Sequence, residues 1–141
     1  ANSLYQTNSK VDSLTGVYKE NKQIEISEKT SEWLNKGENN YVVYHGFKKG
    51  ESVYIGITKQ ELDIRLEQHN SGSNPKNLSD LISIKEGLTR NQARSIEQYY
   101  IELYKLQKNN GQLINKINSI SNNSEYYNEA MKWAKDIIDN Q

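Results

Sequence analysis

Tyr44, Tyr54, Arg65, Glu97 and Asn115 are residues of the types that water attack on a phosphodiester would require. That reaction needs an aligned nucleophile, a proton acceptor, and positive charge where the pentacovalent transition state gathers negative charge. Arg65 suits the last of these roles, because its guanidinium stays protonated and can hold two phosphate oxygens in a planar fork. Glu97 offers a hard oxygen ligand for one Mg²⁺ or Mn²⁺, with waters and a phosphate oxygen filling the remaining positions. A tyrosine with a pKa of about 10 is a poor base, so Tyr44 needs a metal, Arg65 or a histidine to favour loss of its proton. His45, its neighbour in sequence, and His69 are the two histidines present. Gly56 would let the backbone approach another segment or a substrate closely, and Asn115 would tie a loop to neighbouring backbone through its amide.

Each of these residues also has a plainer reading. Arg65 could pair with Glu61 or Glu67, and Glu97 with Arg94 three residues earlier on one helix face. His69 could be a packed side chain. Ten tyrosines against one phenylalanine fit an amphipathic boundary around a small core. Lys59, Lys48, Lys49 and Arg90 could line a phosphate track or simply face water. There is no cysteine, no phosphate-cradling glycine loop, and no pair of histidines at metal-ligand spacing.

The elements that must position these residues follow from pattern. Tyr41-Val-Val-Tyr-His and Ser52-Val-Tyr-Ile-Gly-Ile are β-branched and aromatic runs separated by turn-prone residues, which predicts a hairpin. Helical spacing follows over Lys59 to Asn70, with Thr58 as N-cap and Leu62, Leu66 and His69 on one face. A short strand is expected at Leu81 to Lys85, then a long helix capped by Thr89, carrying Ala93, Ile96, Tyr100, Leu103 and Tyr104, and closed by Asn109-Asn-Gly. After the irregular Leu113 to Ile120, a last amphipathic helix runs from Ser124 to Ile138. The expected order is ββαβα, a loop, then α. It describes an α+β fold with a small, three-stranded, mainly antiparallel sheet flanked by helices. Residues 1–40 read as a polar N-terminal extension with one helix near Ser27 to Asn35, capped by Thr30 or Ser31, whose Trp33 and Leu34 could dock. Residues 41–141 form the domain proper.

The length of 141 residues suits a single core, which must be small at 34% hydrophobic residues and a mean hydropathy of -0.94. Eighteen basic and eighteen acidic side chains cancel, which argues against gripping nucleic acid by bulk charge. Any attraction for phosphate must be local, since from Tyr41 onward 13 Lys/Arg meet 12 Asp/Glu. Without cysteine, the redox compartment is undetermined. No apolar run approaches the roughly 18 residues that cross a bilayer, and the N-terminus lacks signal-peptide features. We therefore expect a soluble segment without membrane insertion, and its start at Ala1 leaves room for a longer parent chain.

The arrangement says more than any single residue. Val42-Val43-Tyr44, then Tyr54-Ile55-Gly56, helical Arg65, helical Glu97 and a later Asn115 make an order that resembles the GIY-YIG nuclease superfamily. The second motif is complete, and the first keeps only its tyrosine. The resemblance spans about Tyr41 to Asn118 and is strengthened by Val53-Tyr-Ile-Gly-Ile-Thr together with Arg65-Leu-Glu-Gln-His69. It implies a metal-dependent endonuclease with a single Mg²⁺ or Mn²⁺. Tyr44 would be the candidate base, with His45 as the alternative, Tyr54 would orient water or phosphate, Glu97 would hold the metal, and Asn115 would support the site. Gly87-Leu-Thr-Arg-Asn-Gln-Ala-Arg-Ser-Ile-Glu97 and Leu113-Ile-Asn-Lys-Ile-Asn-Ser-Ile-Ser further resemble nuclease domains at the C-termini of bacterial polymorphic toxins. That likeness implies a larger delivery protein, an immunity protein, and activity in the cytoplasm of a target cell. The absence of an evident base-reading or RNA-docking element leans the expectation to DNA over RNA or tRNA. The alternative is a non-catalytic nucleic-acid-binding or protein-interaction module on the same fold. The polar N-terminal stretch could also bind a carrier or receptor.

Overall fold

The computed structural model describes residues 25–141, together with the backbone of two short strands, β1 (Asn8–Val11) and β2 (Tyr18–Asn21), which pair antiparallel. Residues 1–7, 12–17 and 22–24 of the expected extension lie outside the described residues. After β1 and β2 come α1 (Glu28–Leu34), β3 (Tyr41–Lys48), β4 (Glu51–Thr58), α2 (Leu62–His69), β5 (Asp80–Leu88), α3 (Arg90–Tyr104) and α4 (Tyr127–Asp139). The main sheet has the order β4-β3-β5 and is antiparallel throughout. This is the α+β, three-stranded arrangement that the alternating runs imply.

The β3–β4 hairpin closes through Lys49 and Gly50, both at positive φ (49° and 78°), the backbone that a two-residue primed turn demands. Because successive strand residues point to opposite faces, Val43 and Ile55 enter the core under α3 with Ala93 and Ile96. Tyr44 and Tyr54 face the other way, toward Leu62 and Leu66 of α2. Helix α3 begins at a complete capping box, with Thr89 and Gln92 satisfying each other's backbone amides. It ends at Tyr104, earlier than the Asn109-Asn-Gly signal, and a short 3-10 turn, Gln107–Asn109, follows it. Strand β5 extends well past the expected Lys85 because its pairing with β3 continues to Leu88.

Two cap assignments differ from expectation. Thr58 does not cap α2; its hydroxyl accepts from the Gln60 amide at 3.0 Å and shapes the turn out of β4, while Glu61 takes the N-cap position without a side-chain bond. Ser27, not Thr30 or Ser31, caps α1, since the helix begins at Glu28 and both of those residues lie within it. The Glu129 carboxylate of α4 accepts from the Ser27 amide (2.7 Å), the Ser27 hydroxyl (2.7 Å) and the Thr30 hydroxyl (2.6 Å). With Leu34 fully buried, Ile26 in the same core, and Trp33 stacked on Tyr126 at 4.6 Å, α1 is an integral part of the packed unit. That unit therefore includes residues on the N-terminal side of Tyr41.

Candidate functional site

The register of the hairpin sets two tyrosines against two glycines: Tyr44 lies opposite Gly56, and Gly46 opposite Tyr54. Gly56 receives the Tyr44 ring, whereas Gly46 faces the Leu78 side chain and the Tyr54 Cβ. A Cβ at Gly56 would come within 2.5 Å of Tyr44 Cζ and 2.9 Å of Tyr54 Cε2, and one at Gly46 within 3.1 Å of Tyr54 Cβ. Only glycine leaves room for this arrangement. Gly56 therefore admits a close approach, but by the Tyr44 ring.

His69 completes the cluster from α2. Its Nε2 lies 2.8 Å from Tyr44 Oη, and its ring meets Tyr54 edge-on at 4.8 Å between centroids. Burial, reinforced by the charges of Arg65 and Lys76, lowers the His69 pKa to about 4, so the ring is neutral at physiological pH. Tyr44, fully buried, has its pKa pushed far above the ordinary 10 by desolvation, with Tyr54 adding and Arg65 opposing. Tyr54 is raised by the same burial and by Glu97, again against Arg65. Both tyrosines therefore feel the positive charge of Arg65 and the negative charge of Glu97.

Arg65 precedes His69 by four residues on the same helix face and donates to Gln68 Oε1 at 3.1 Å. Among the described residues no carboxylate lies within 4 Å of it, so the Glu61 or Glu67 pairing is not formed. Glu97 comes from α3 and lines a cleft of about 390 Å³ with Tyr54, Arg90, Arg94, Asn115 and Ser119. Burial raises its pKa to about 7, and the nearby Ser119 hydroxyl and the charges of Arg94 and Arg90 only partly restrain the rise. Arg94 itself binds the Ser119 carbonyl (2.9 Å) and Asn91 Oδ1 (3.2 Å). Asn115 clamps the outer edge of β4: its Oδ1 accepts from the Ile55 amide at 3.0 Å, and its Nδ2 donates to the Ile55 carbonyl at 2.7 Å. Next to it, the Ile114 amide donates to the Val53 carbonyl at 2.7 Å.

Two candidates stand apart from this cluster. His45 is turned to the α3 face of the sheet by strand alternation; it contacts Ser52 Oγ at 2.8 Å and packs edge-on against Tyr100 at 5.4 Å. It lies on the face opposite Tyr44, whose hydroxyl is instead 2.8 Å from His69 Nε2. Lys59 is exposed in the turn after β4 and lines neither this cleft nor the neighbouring one. Conversely, sequence reasoning passed over Gly46, although the repeated Tyr-x-Gly signals it. It also passed over Gln98, which is buried beside Glu97 and accepts from the amides of Ser119 (2.7 Å) and Ile120 (3.1 Å). A lone helical glutamine gives no sequence signal for such a role.

The residues fit a hard divalent cation with a largely aqueous shell. Among the described residues no group of three His, Cys, Asp or Glu could enclose a metal, but Glu97 presents one half-buried carboxylate to a polar cleft, and Mg²⁺ is commonly held by one or two carboxylates with waters and phosphate.

A family model for the GIY-YIG catalytic domain matches residues 38–110, more than half of the chain. The chain belongs to this family, whose members are nucleases that generally use divalent metal ions. Asn115 falls beyond the matched span. No curated protein and no solved structure matches the chain. Among the described residues no helix is long and apolar enough to cross a membrane.

Proposed function

We propose that this chain is a metal-dependent endonuclease whose site comprises Tyr44, His69, Tyr54, Arg65, Glu97 and Asn115. The observation that carries the reading is the 2.8 Å contact between Tyr44 Oη and a neutral His69 Nε2, with a guanidinium and a half-buried carboxylate whose charges both act on the two tyrosines. A tyrosine this hard to ionise serves as a base only if its own proton leaves as another arrives. Neutral His69 supplies the acceptor, so Tyr44 takes a proton from the attacking water while passing its own to Nε2. Tyr54, which lines the cleft, orients the water or the phosphate. Arg65 compensates the charge that accumulates on the phosphoryl oxygens. Glu97 would hold a single Mg²⁺ or Mn²⁺, which when bound polarises the phosphate. Asn115 fixes the loop carrying Lys116 to Ser119 against β4 and keeps the cleft walls in register.

DNA is slightly favoured over RNA or tRNA, because no docking surface for a shaped RNA is evident among the described residues. The resemblance of residues 87–97 and 113–121 to toxin C-termini supports an antibacterial effector, carried by a larger protein and neutralised by an immunity partner. Incubating the purified chain with plasmid DNA and with total RNA, in Mg²⁺ or EDTA, tests the activity. Loss of cleavage in Glu97→Ala is expected; cleavage by that variant equal to the parent's would overturn the reading. Induced expression in the bacterial cytoplasm tests the effector role: growth arrest by the parent but not by Glu97→Ala is expected, and unimpaired growth would refute it.

A further inference from the structure

A second cleft, also of about 390 Å³, adjoins the first: Tyr54 and Lys116 line both. Its walls hold Lys48, Lys76 and Lys116 together with Tyr54 and Ile114, and no carboxylate. In a chain whose 18 basic and 18 acidic groups cancel, three ammonium groups without an acid between them make a local positive field. Among the described residues, none of the three has a carboxylate within 4 Å.

Their backbones are also anchored. Lys48 ends β3. The Lys76 amide donates to the His69 carbonyl at 2.8 Å, its ammonium stands 5.4 Å from the centre of the Tyr54 ring, and the loop around it is fastened where Asn70 bonds both the amide and the carbonyl of Leu78. Lys116 follows directly on the Asn115 clamp. Lysines carried on anchored backbone leave only their side chains to be ordered when a ligand binds.

We infer that this lysine cleft is a phosphate subsite for the nucleotide next to the scissile one, so that a polynucleotide strand passes from the Glu97 cleft, over Tyr54 and Lys116, to Lys48 and Lys76. The inference rests on the nuclease reading for its choice of ligand. A nucleic-acid backbone is favoured over an acidic protein because the two clefts share Tyr54 and Lys116, so that the lysine cleft has a wall in common with the site itself. Lysine acts on phosphate as a point charge, so the subsite binds backbone of any sequence.

The test is binding of a labelled DNA duplex and of its separated strands to the full chain in EDTA, measured by fluorescence anisotropy over a series of salt concentrations. Lys48→Gln/Lys76→Gln is compared with Lys135→Gln, whose lysine sits far along α4 and pairs with Asp139. The double variant is expected to weaken binding on the order of tenfold and to flatten the plot of log K against log salt by about one, while Lys135→Gln follows the parent. Parental affinity and slope in the double variant, or no binding by the parent, would overturn the subsite. Cleavage by the parent in Mg²⁺ is scored separately: a chain that shows the lysine signature but cuts nothing keeps the subsite and loses the nuclease reading, whereas one that cuts without the signature does the reverse.

Discussion

Glu97→Gln is expected to make the protein more stable while abolishing its activity. In the folded chain burial lifts the Glu97 pKa from the ordinary 4.5 to about 7. Between those values the folded state binds more protons than the unfolded one, so stability falls as pH rises through that window and stays low above it. At 1.36 kcal/mol per pH unit the displacement corresponds to on the order of 3 kcal/mol. Glutamine keeps the shape of the side chain without the charge. The variant should therefore match the parent near about pH 4 and exceed it near about pH 8 by up to about 3 kcal/mol, a rise in Tm on the order of 10 °C for a domain of this size. Thermal unfolding followed by circular dichroism in EDTA at both pH values measures this. Added Mg²⁺ should then stabilise the parent but not the variant at the higher pH. A variant less stable than the parent at about pH 8, or a difference equal at both pH values, would refute the assignment of Glu97 as a charge held in a costly place for a cation.

Gly56→Ala should cost about 1 to 3 kcal/mol by overpacking and reduce cleavage, since the new methyl displaces Tyr44 from His69; parental denaturation and rate would contradict the ring-over-glycine packing. Asn115→Ala removes two bonds to the Ile55 backbone and leaves a strand edge unsatisfied, a loss of about 2 kcal/mol by denaturant titration, and an unchanged midpoint would contradict the clamp. His45→Phe should keep kcat within about twofold, whereas His69→Phe should lower it by about a hundredfold or more with the fold retained; equal effects would sink the division of the two histidines between faces.

Those two histidines also mark how far the sequence could be read. The strands of the main sheet, the helices and the Thr89 cap were legible because each is a local pattern: alternation in β3 and β4, a 3.6-residue period in α3, and a Thr89–Gln92 capping box that stands four residues from end to end; the β1–β2 pair, in the polar N-terminal stretch, was not. Strand alternation also places His45 on the face opposite Tyr44, so its separation from the cluster was readable in principle, and adjacency in sequence obscured it. The choice of His69 depends on how α2 lies across the sheet, which the packing of Leu62 and Leu66 against Tyr44 decides. The start of α1 is set in the same way, because Glu129, about a hundred residues away in sequence, binds Ser27 and Thr30 together and fastens the first turn from Glu28 to α4. Lys76 and Lys116 lie in loops without periodicity, and their meeting at Tyr54 is set entirely by tertiary contacts.

The most direct measurement for the central claim is cleavage of plasmid DNA and total RNA by the parent and by Glu97→Gln, with Mg²⁺ and with EDTA, each protein first verified as folded. Cleavage by the parent in Mg²⁺ alone, and none by the more stable variant, is the expected result. Intact substrates with the parent, or equal cutting by both proteins, would contradict it.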